Sequence, residues 1–319
     1  KKVLNKADAA VLYYNNGEPL DVSEIVTYEE DDDPSMNNSE AIRKADEEQL
    51  RQECEAAGYD YVNDGYRYVK TRVFGVYVYK SDLDDTERIF LSSNDEKMSL
   101  SEMQEDIAAG IKNSDKYRTR VSLQAAGGNH IYTDSDIARY KEGDVTVARV
   151  VRKMFLEKYA NKTTYGNKPA RLWNVESFIQ VDSFEGRRII TEYVWLNTNQ
   201  SSQDIMSYSP AGDSGSSIGY TLGFSAEGVG ASLNVEFGGN YSITDMSNLV
   251  GKYGKWKYHT NTGLMKKKLT TKSVIRAVGT SSKVTFKDKA EITVRHLVGK
   301  TYHSTTYTFG PKTWTYANL

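Results

Sequence analysis

The chain has 319 residues, a formal net charge of −2, 39% hydrophobic and 11% aromatic residues, and one cysteine. That apolar content excludes global disorder, a single cysteine excludes an intrachain disulfide, and the lack of an 18-residue apolar run excludes a transmembrane helix. The length suits one large β domain or two ordinary ones. Charge is unevenly spread. Residues 1–160 hold 22 Lys and Arg against 32 Asp and Glu, whereas residues 161–319 hold 19 against 11. Halves of opposite sign read either as two domains with ordinary surfaces or as complementary surfaces that meet within one chain or head-to-tail between copies. The start at Lys1-Lys2-Val3 reads as a mature form after loss of a signal peptide. Together with many Tyr, Thr, Ser, Asn and Gly residues, it points to a secreted or cell-surface protein.

Along the chain, Ala9–Tyr14 and Val22–Tyr28 flank Asn15-Asn16-Gly17, which predicts a hairpin turn. Glu29 to Asp33 are five consecutive carboxylates before Pro34. Calcium-loop spacing fails there, with no Gly at the sixth place and no Glu at the twelfth from Asp31, so the stretch reads as a solvated acidic loop. Ser39 caps a helix to about Ala57, stopped by Gly58 and carrying only a narrow apolar stripe at Ile42, Ala45 and Leu50. Tyr59–Lys80 reads as strand. Ser99-Leu100-Ser101-Glu102 is a capping box, after which Leu100, Met103, Ile107 and Ile111 recur at helical spacing. Tyr117–Gln124 reads as strand, and residues 144–160 fit a helix or a strand.

From Trp173 onward the pattern is almost wholly of period two: Val175–Val181, Arg188–Leu196, Lys268–Val278, Val284–Phe286, Ala290–Val298 and Tyr302–Phe309. The most informative stretch is 217–243. Ile218, Tyr220, Leu222, Phe224 and Ala226 alternate with small polar residues. After Glu227-Gly228-Val229-Gly230 the alternation resumes on the other parity, with Leu233, Val235, Phe237, Tyr241 and Ile243. That predicts an antiparallel hairpin with one apolar face, either part of a sandwich or able to line a membrane barrel. The fold class expected is α+β: an acidic, mixed α/β portion over residues 1–165, followed by a basic antiparallel β-sandwich over 166–319.

Gly212-Asp213-Ser214-Gly215 resembles the nucleophile motif of chymotrypsin-like serine proteases. His130 is the one histidine before Ser214, and its Gly128-Asn129-His130-Ile131 context lacks that family's signature, so the tetrapeptide reads as a loop. His296 and His303 can face each other across a hairpin, but no Cys or carboxylate stands at ligand spacing, and no metal or cofactor is expected. Lys252, Tyr253, Lys255, Trp256, Lys257 and Tyr258 interleave cations with aromatics. This candidate binding patch suits an anionic surface or polymer; its alternative is edge-strand lysines with aromatics packed inward. No specific nucleic acid is implied.

The run from Ser207-Tyr208-Ser209-Pro210 to Asn240-Tyr241-Ser242-Ile243, with Trp256 and His259, resembles uncharacterised secreted bacterial and archaeal proteins over residues 170–300. That resemblance implies secretion and a β-rich fold. The 217–243 hairpin also resembles the stem segments of β-pore-forming toxins. The first functional expectation is therefore a secreted or surface-attached, non-enzymatic structural or adhesive protein. It assembles into homo-oligomers or filaments through its oppositely charged halves or by strand addition. The second is a pore-forming toxin that inserts residues 217–243, and the third a serine hydrolase.

Overall fold

The computed structural model describes residues 11–14, 26–30, 40–69, 72–80, 87–94, 130–142, 144–198, 200–210, 218–226, 229–237, 241–260 and 267–318. In chain order these form β1 (Val11–Tyr14), β2 (Val26–Glu30), α1 (Glu40–Ala56), β3 (Asp60–Val69), β4 (Arg72–Lys80), β5 (Glu87–Asn94), β6 (His130–Glu142), β7 (Val145–Tyr165), β8 (Lys168–Ser183), β9 (Arg188–Asn197), β10 (Gln203–Ser209), β11 (Ile218–Ala226), β12 (Val229–Phe237), β13 (Ser242–Asp245), β14 (Tyr253–His259), β15 (Lys268–Gly279), β16 (Lys283–Val298) and β17 (Thr301–Ala317).

An eight-stranded sheet runs β1-β4-β5-β6-β7-β8-β15-β10, and a seven-stranded one runs β13-β14-β9-β16-β17-β2, with β3 also on β17. Strands β11 and β12 form a third, two-stranded sheet. The α+β expectation is therefore corrected. Among the described residues the N-terminal portion holds one helix and seven strands, and those strands are shared between both large sheets. The cause is visible in β7. Val145, Thr146, Val147, Val150 and Val151 are β-branched and disfavour helix, and pairing with β6 and β8 along its length settles the ambiguity of 144–160 as strand. Gly166 and Asn167, both with positive φ, turn β7 into β8 within one sheet, as a two-residue hairpin of the primed type requires.

The hairpin predicted at Asn15-Asn16-Gly17 does not join its flanking strands. β1 pairs in parallel with β4 in the first sheet, while β2 pairs with β17 in the second. Parallel pairs also join β5 to β6 and β3 to β17, so the sheets are mixed. Glu29 and Glu30 end β2, and the rest of the acidic loop lies outside the described residues. So do the helix expected over 99–111, the strand expected at Tyr117–Gln124, and Ser214.

The two large sheets pack face to face around one apolar seam. Val150, Met154, Leu156, Trp173, Val175 and Ile275 come from the first sheet; Val194, Leu196, Trp256, Phe286, Ile292 and Trp314 come from the second. Each such side chain contributes roughly 1.5–3 kcal/mol on burial. Trp173 sits at the centre, 5.5 Å from the Phe286 ring and 5.7 Å from that of Tyr316, and its Nε1 donates to Asn318 Oδ1 at 2.8 Å. Arg152 of the first sheet pairs with Asp288 of the second at 3.0 Å, both almost fully buried. Trp314 Nε1 also donates to that carboxylate.

Glu192 is the unusual member of the seam. It lies opposite Tyr258 and Ile292 on the inward face of β9 and is fully buried. Thr271 Oγ1 of the facing sheet donates to its Oε1 at 2.6 Å, while Oε2 has no hydrogen-bond partner. Desolvation pushes its pKa up from 4.5 to about 8, because an apolar seam disfavours the carboxylate. The folded state therefore holds a proton that the unfolded chain releases above about pH 4.5, so folding stability is greatest below that pH and falls as pH rises through 8. Over that window the loss reaches about 1.4 kcal/mol per pH unit. Glu192→Gln, which keeps an acceptor for Thr271, should flatten this slope in thermal melts taken from pH 5 to 9.

Candidate functional site

The hairpin β11–β12 is the candidate site. Its register pairs Ile218 with Phe237, Tyr220 with Val235, Leu222 with Leu233, Phe224 with Ala231 and Ala226 with Val229. The intervening pairs are Gly219 with Glu236, Thr221 with Asn234, Gly223 with Ser232 and Ser225 with Gly230. Directly paired residues share a face. The two alternating runs of opposite parity thus merge into one face of ten apolar residues and one of small or polar ones. Each strand has nine residues, about 30 Å at ~3.4 Å per residue, and a transmembrane β-strand needs about 9–11.

Topology sets this ribbon apart. It is inserted between β10, the outer strand of the eight-stranded sheet, and β13, the outer strand of the seven-stranded one. Among the described strands, β11 and β12 pair only with each other. Moving the ribbon therefore breaks no ladder bond of either large sheet. Its roots are anchored: Trp256 Nε1 donates to the Pro210 carbonyl at 2.7 Å, and Tyr241 packs edge-on against Tyr258.

The cationic–aromatic stretch around β14 is split by strand alternation. Trp256 and Tyr258 point into the seam and are buried. Lys255 and Lys257 lie on the opposite, outward face, in rows shared with β9 and β16: Lys257–Tyr193–Glu291 and Lys255–Trp195–Lys289. Lys252 closes the turn before β14, its Nζ donating to the carbonyls of Gln200 and Gln203, and Tyr253 opens the strand.

Helix α1 lies over those rows. Tyr193 OH donates to Asp46 Oδ2 at 2.5 Å, and Lys257 Nζ donates to Asp46 Oδ1 at 2.5 Å and to Gln49 Oε1 at 3.1 Å. Glu53 meets His259 Nε2 at 2.9 Å, Arg43 meets Glu291 at 3.5 Å, and Arg295 Nη1 donates to Cys54 Sγ at 3.0 Å. Leu50 and Cys54 are the buried apolar residues of α1. Lys255 Nζ stands 4.9 Å from the Trp195 ring centroid, and burial pushes its pKa down to about 8. Lys289 stands 4.8 Å from the same ring, ion-paired to Glu291 at 2.6 Å, and its pKa is likewise depressed by burial. The partners on α1, β9 and β16 escaped sequence reasoning. The opposite charge of the two halves was the one signal for them.

His296 and His303 do face each other across β16–β17, with rings stacked 5.5 Å apart, and His303 Nδ1 lies 3.1 Å from Asp64 Oδ1. No group of three or more His, Cys, Asp or Glu able to hold a metal occurs among the described residues. No helix among the described residues is long and apolar enough to cross a membrane.

No protein-family model matches this chain, and neither does any curated protein. Among solved structures it is similar to the delta-toxin of Clostridium perfringens at 12% identity and a TM-score of 0.33, covering 59% of this chain and 88% of that one. It is similar to a pore forming protein at 9% identity and a TM-score of 0.28, covering 58% of this chain and 89% of that one.

The grip on α1 is directly testable. Asp46→Ala leaves the Lys257 ammonium and the Tyr193 hydroxyl half-buried without their carboxylate, at a cost of about 1–3 kcal/mol. Tryptic cleavage at Arg43, Lys44 and Arg51 should then accelerate about tenfold under native conditions, while the far-UV β signal stays unchanged.

Proposed function

We propose that this is a secreted, non-enzymatic pore-forming protein in which each copy contributes β11 and β12 to a membrane-spanning β-barrel. The observation that carries this reading is the hairpin register, which gathers ten apolar residues on one face of a ribbon of bilayer-spanning length. Within hydrocarbon every backbone polar group needs an internal partner, so strands cross only as closed barrels. Two strands cannot close, and barrels need about eight or more. Assembly of at least about four copies follows, each presenting its apolar face to lipid and its Gly, Ser, Thr and Asn face to a water-filled lumen.

A second reading has its own support. The outer edges of β10 and β13 are unpaired among the described strands, and open edges accept strands from neighbours. In that reading copies join edge to edge into an adhesive filament, with no lipid involved.

One experiment separates the two. Single cysteines placed at Leu222, Gly223, Ser232 and Leu233, with an environment-sensitive dye attached, are read during dye release from liposomes. Cys54 is fully buried and remains unlabelled. Pore formation predicts apolar emission at 222 and 233 and aqueous emission at 223 and 232. Leu222→Lys with Leu233→Lys should suppress release by more than tenfold, since a lysine near the bilayer midplane costs about 2–4 kcal/mol. Absence of release at micromolar protein, with no alternation of emission, refutes the pore and leaves the filament.

A further inference from the structure

The contact between α1 and the second sheet is an acidic helix held on a cationic–aromatic face, and its character is polar. We propose that this outward face of β14, β9 and β16 is an acceptor for an acidic helix used twice: by α1 of its own chain in the isolated protein, and by α1 of a neighbouring copy in the assembly. The inference rests on the homo-oligomeric reading above and names the contact that joins one copy to the next.

Three observations carry it. First, one carboxylate of the grip meets two donors of the face at once, with Asp46 taking a bond from Tyr193 and another from Lys257. A grip of that kind is transferable, because an equivalent carboxylate from another copy meets the same two donors. Second, α1 itself carries little apolar surface, and Tyr193 and Trp195 are covered again once a neighbour's helix takes its place. Apart from Leu50 and Cys54, which are buried, and Ile42, which packs beside Tyr193 and Trp195, α1 presents charged and polar residues. Exchange of identical contacts between copies has nearly the same contact energy in both states, which makes it an inexpensive route to oligomers. Third, the helix ends on a glycine. Gly58 has φ +80 with nothing within 4 Å of where a Cβ would stand, a conformation that glycine adopts without strain. Asp46 lies twelve residues away, about 18 Å along the helix, so a swing about Gly58 carries it well outside its home position. The direction of the contact also fits. Acidic α1 comes from the net-negative half of the chain and the lysines of β14 and β16 from the net-positive half, so the contact is heterologous and closes into a ring when the rotation permits.

Charge-swapped complementation tests it in the full chain. Asp46→Lys and Lys257→Asp each place like charges together and should lower the liposome-bound oligomer yield by about tenfold or more. An equimolar mixture of the two variants should recover assembly to within about twofold of the wild type, because each acidic or basic helix then finds its complement on a neighbour. The double variant in one chain reports the intact pair and shows that the substitutions permit folding. Recovery by the double variant without recovery by the mixture overturns the exchange and keeps α1 on its own sheet. Normal assembly by both single variants overturns it as well. Oligomers are counted by light scattering after detergent extraction, independently of dye release, so failure of the pore reading and failure of the exchange give different results.

Discussion

Everything else in this molecule depends on the apolar seam between the two large sheets. Trp173, Phe286, Tyr316, Trp256 and Trp314 are at most about 1% exposed, and they bring together β8 of the first sheet with β14, β16 and β17 of the second. A seam of this kind dictates the alternation seen on β9. Residues 192, 194 and 196 face inward, so 191, 193 and 195 must face out. The outward face then carries Tyr193 and Trp195, too apolar to be left bare, and α1 covers them with Ile42 packed beside them. The polar bonds of α1 follow from that placement, because lysines on β14 and β16 share the same rows.

Covering a lysine-bearing face has electrostatic consequences that the isolated strands would not show. Lys255 and Lys289 lose water and titrate more easily, while the Trp195 ring replaces part of their hydration through its π face. Glu192 is the counterpart inside the seam, a carboxyl whose pKa burial raises to about 8. Both groups illustrate the same rule: the sheet faces were populated by alternation first, and the charges then adjusted their protonation to the burial imposed on them.

How much of this was legible in the sequence can be traced residue by residue. Period-two alternation located β8, β9, β15 and the later strands because each has one face in the seam, and it gave the hairpin of 218–237 its two apolar half-faces. What it could not supply was the partner of each strand. Val284–Phe286 and Ala290–Val298 read as two strands, yet they are one, β16, with a bulge between Asp288 and Ala290 opposite Gly310-Pro311. Asn15-Asn16-Gly17 has hairpin chemistry, but β1 and β2 are claimed by different sheets through pairings far away in sequence. The mixed α/β expectation failed for that reason: local propensity carries no information about non-local ladders. At 252–258 the alternation of β14 turns Trp256 and Tyr258 inward and Lys255 and Lys257 toward α1, a division on which composition alone left two readings open.

In the proposed assembly, the position of the hairpin sets a direction. β10 ends at Ser209, level with Val274, and β13 begins at Ser242, level with His259. Strand β14 ends and β15 begins at that same end of the sandwich, so both roots of the ribbon lie in one half of the molecule. Copies related by a rotation axis would therefore send all their ribbons the same way, as closure of a single barrel demands. The two large sheets need not open for this, since among the described strands the ribbon shares no ladder bond with them. Trp256 and Tyr258, adjacent inward residues of one strand, contact one root each, at Pro210 and Tyr241. That is the physical sense in which β14 unites the two halves of the proposal: its inward face anchors the ribbon, and its outward face carries the lysines that grip an acidic helix.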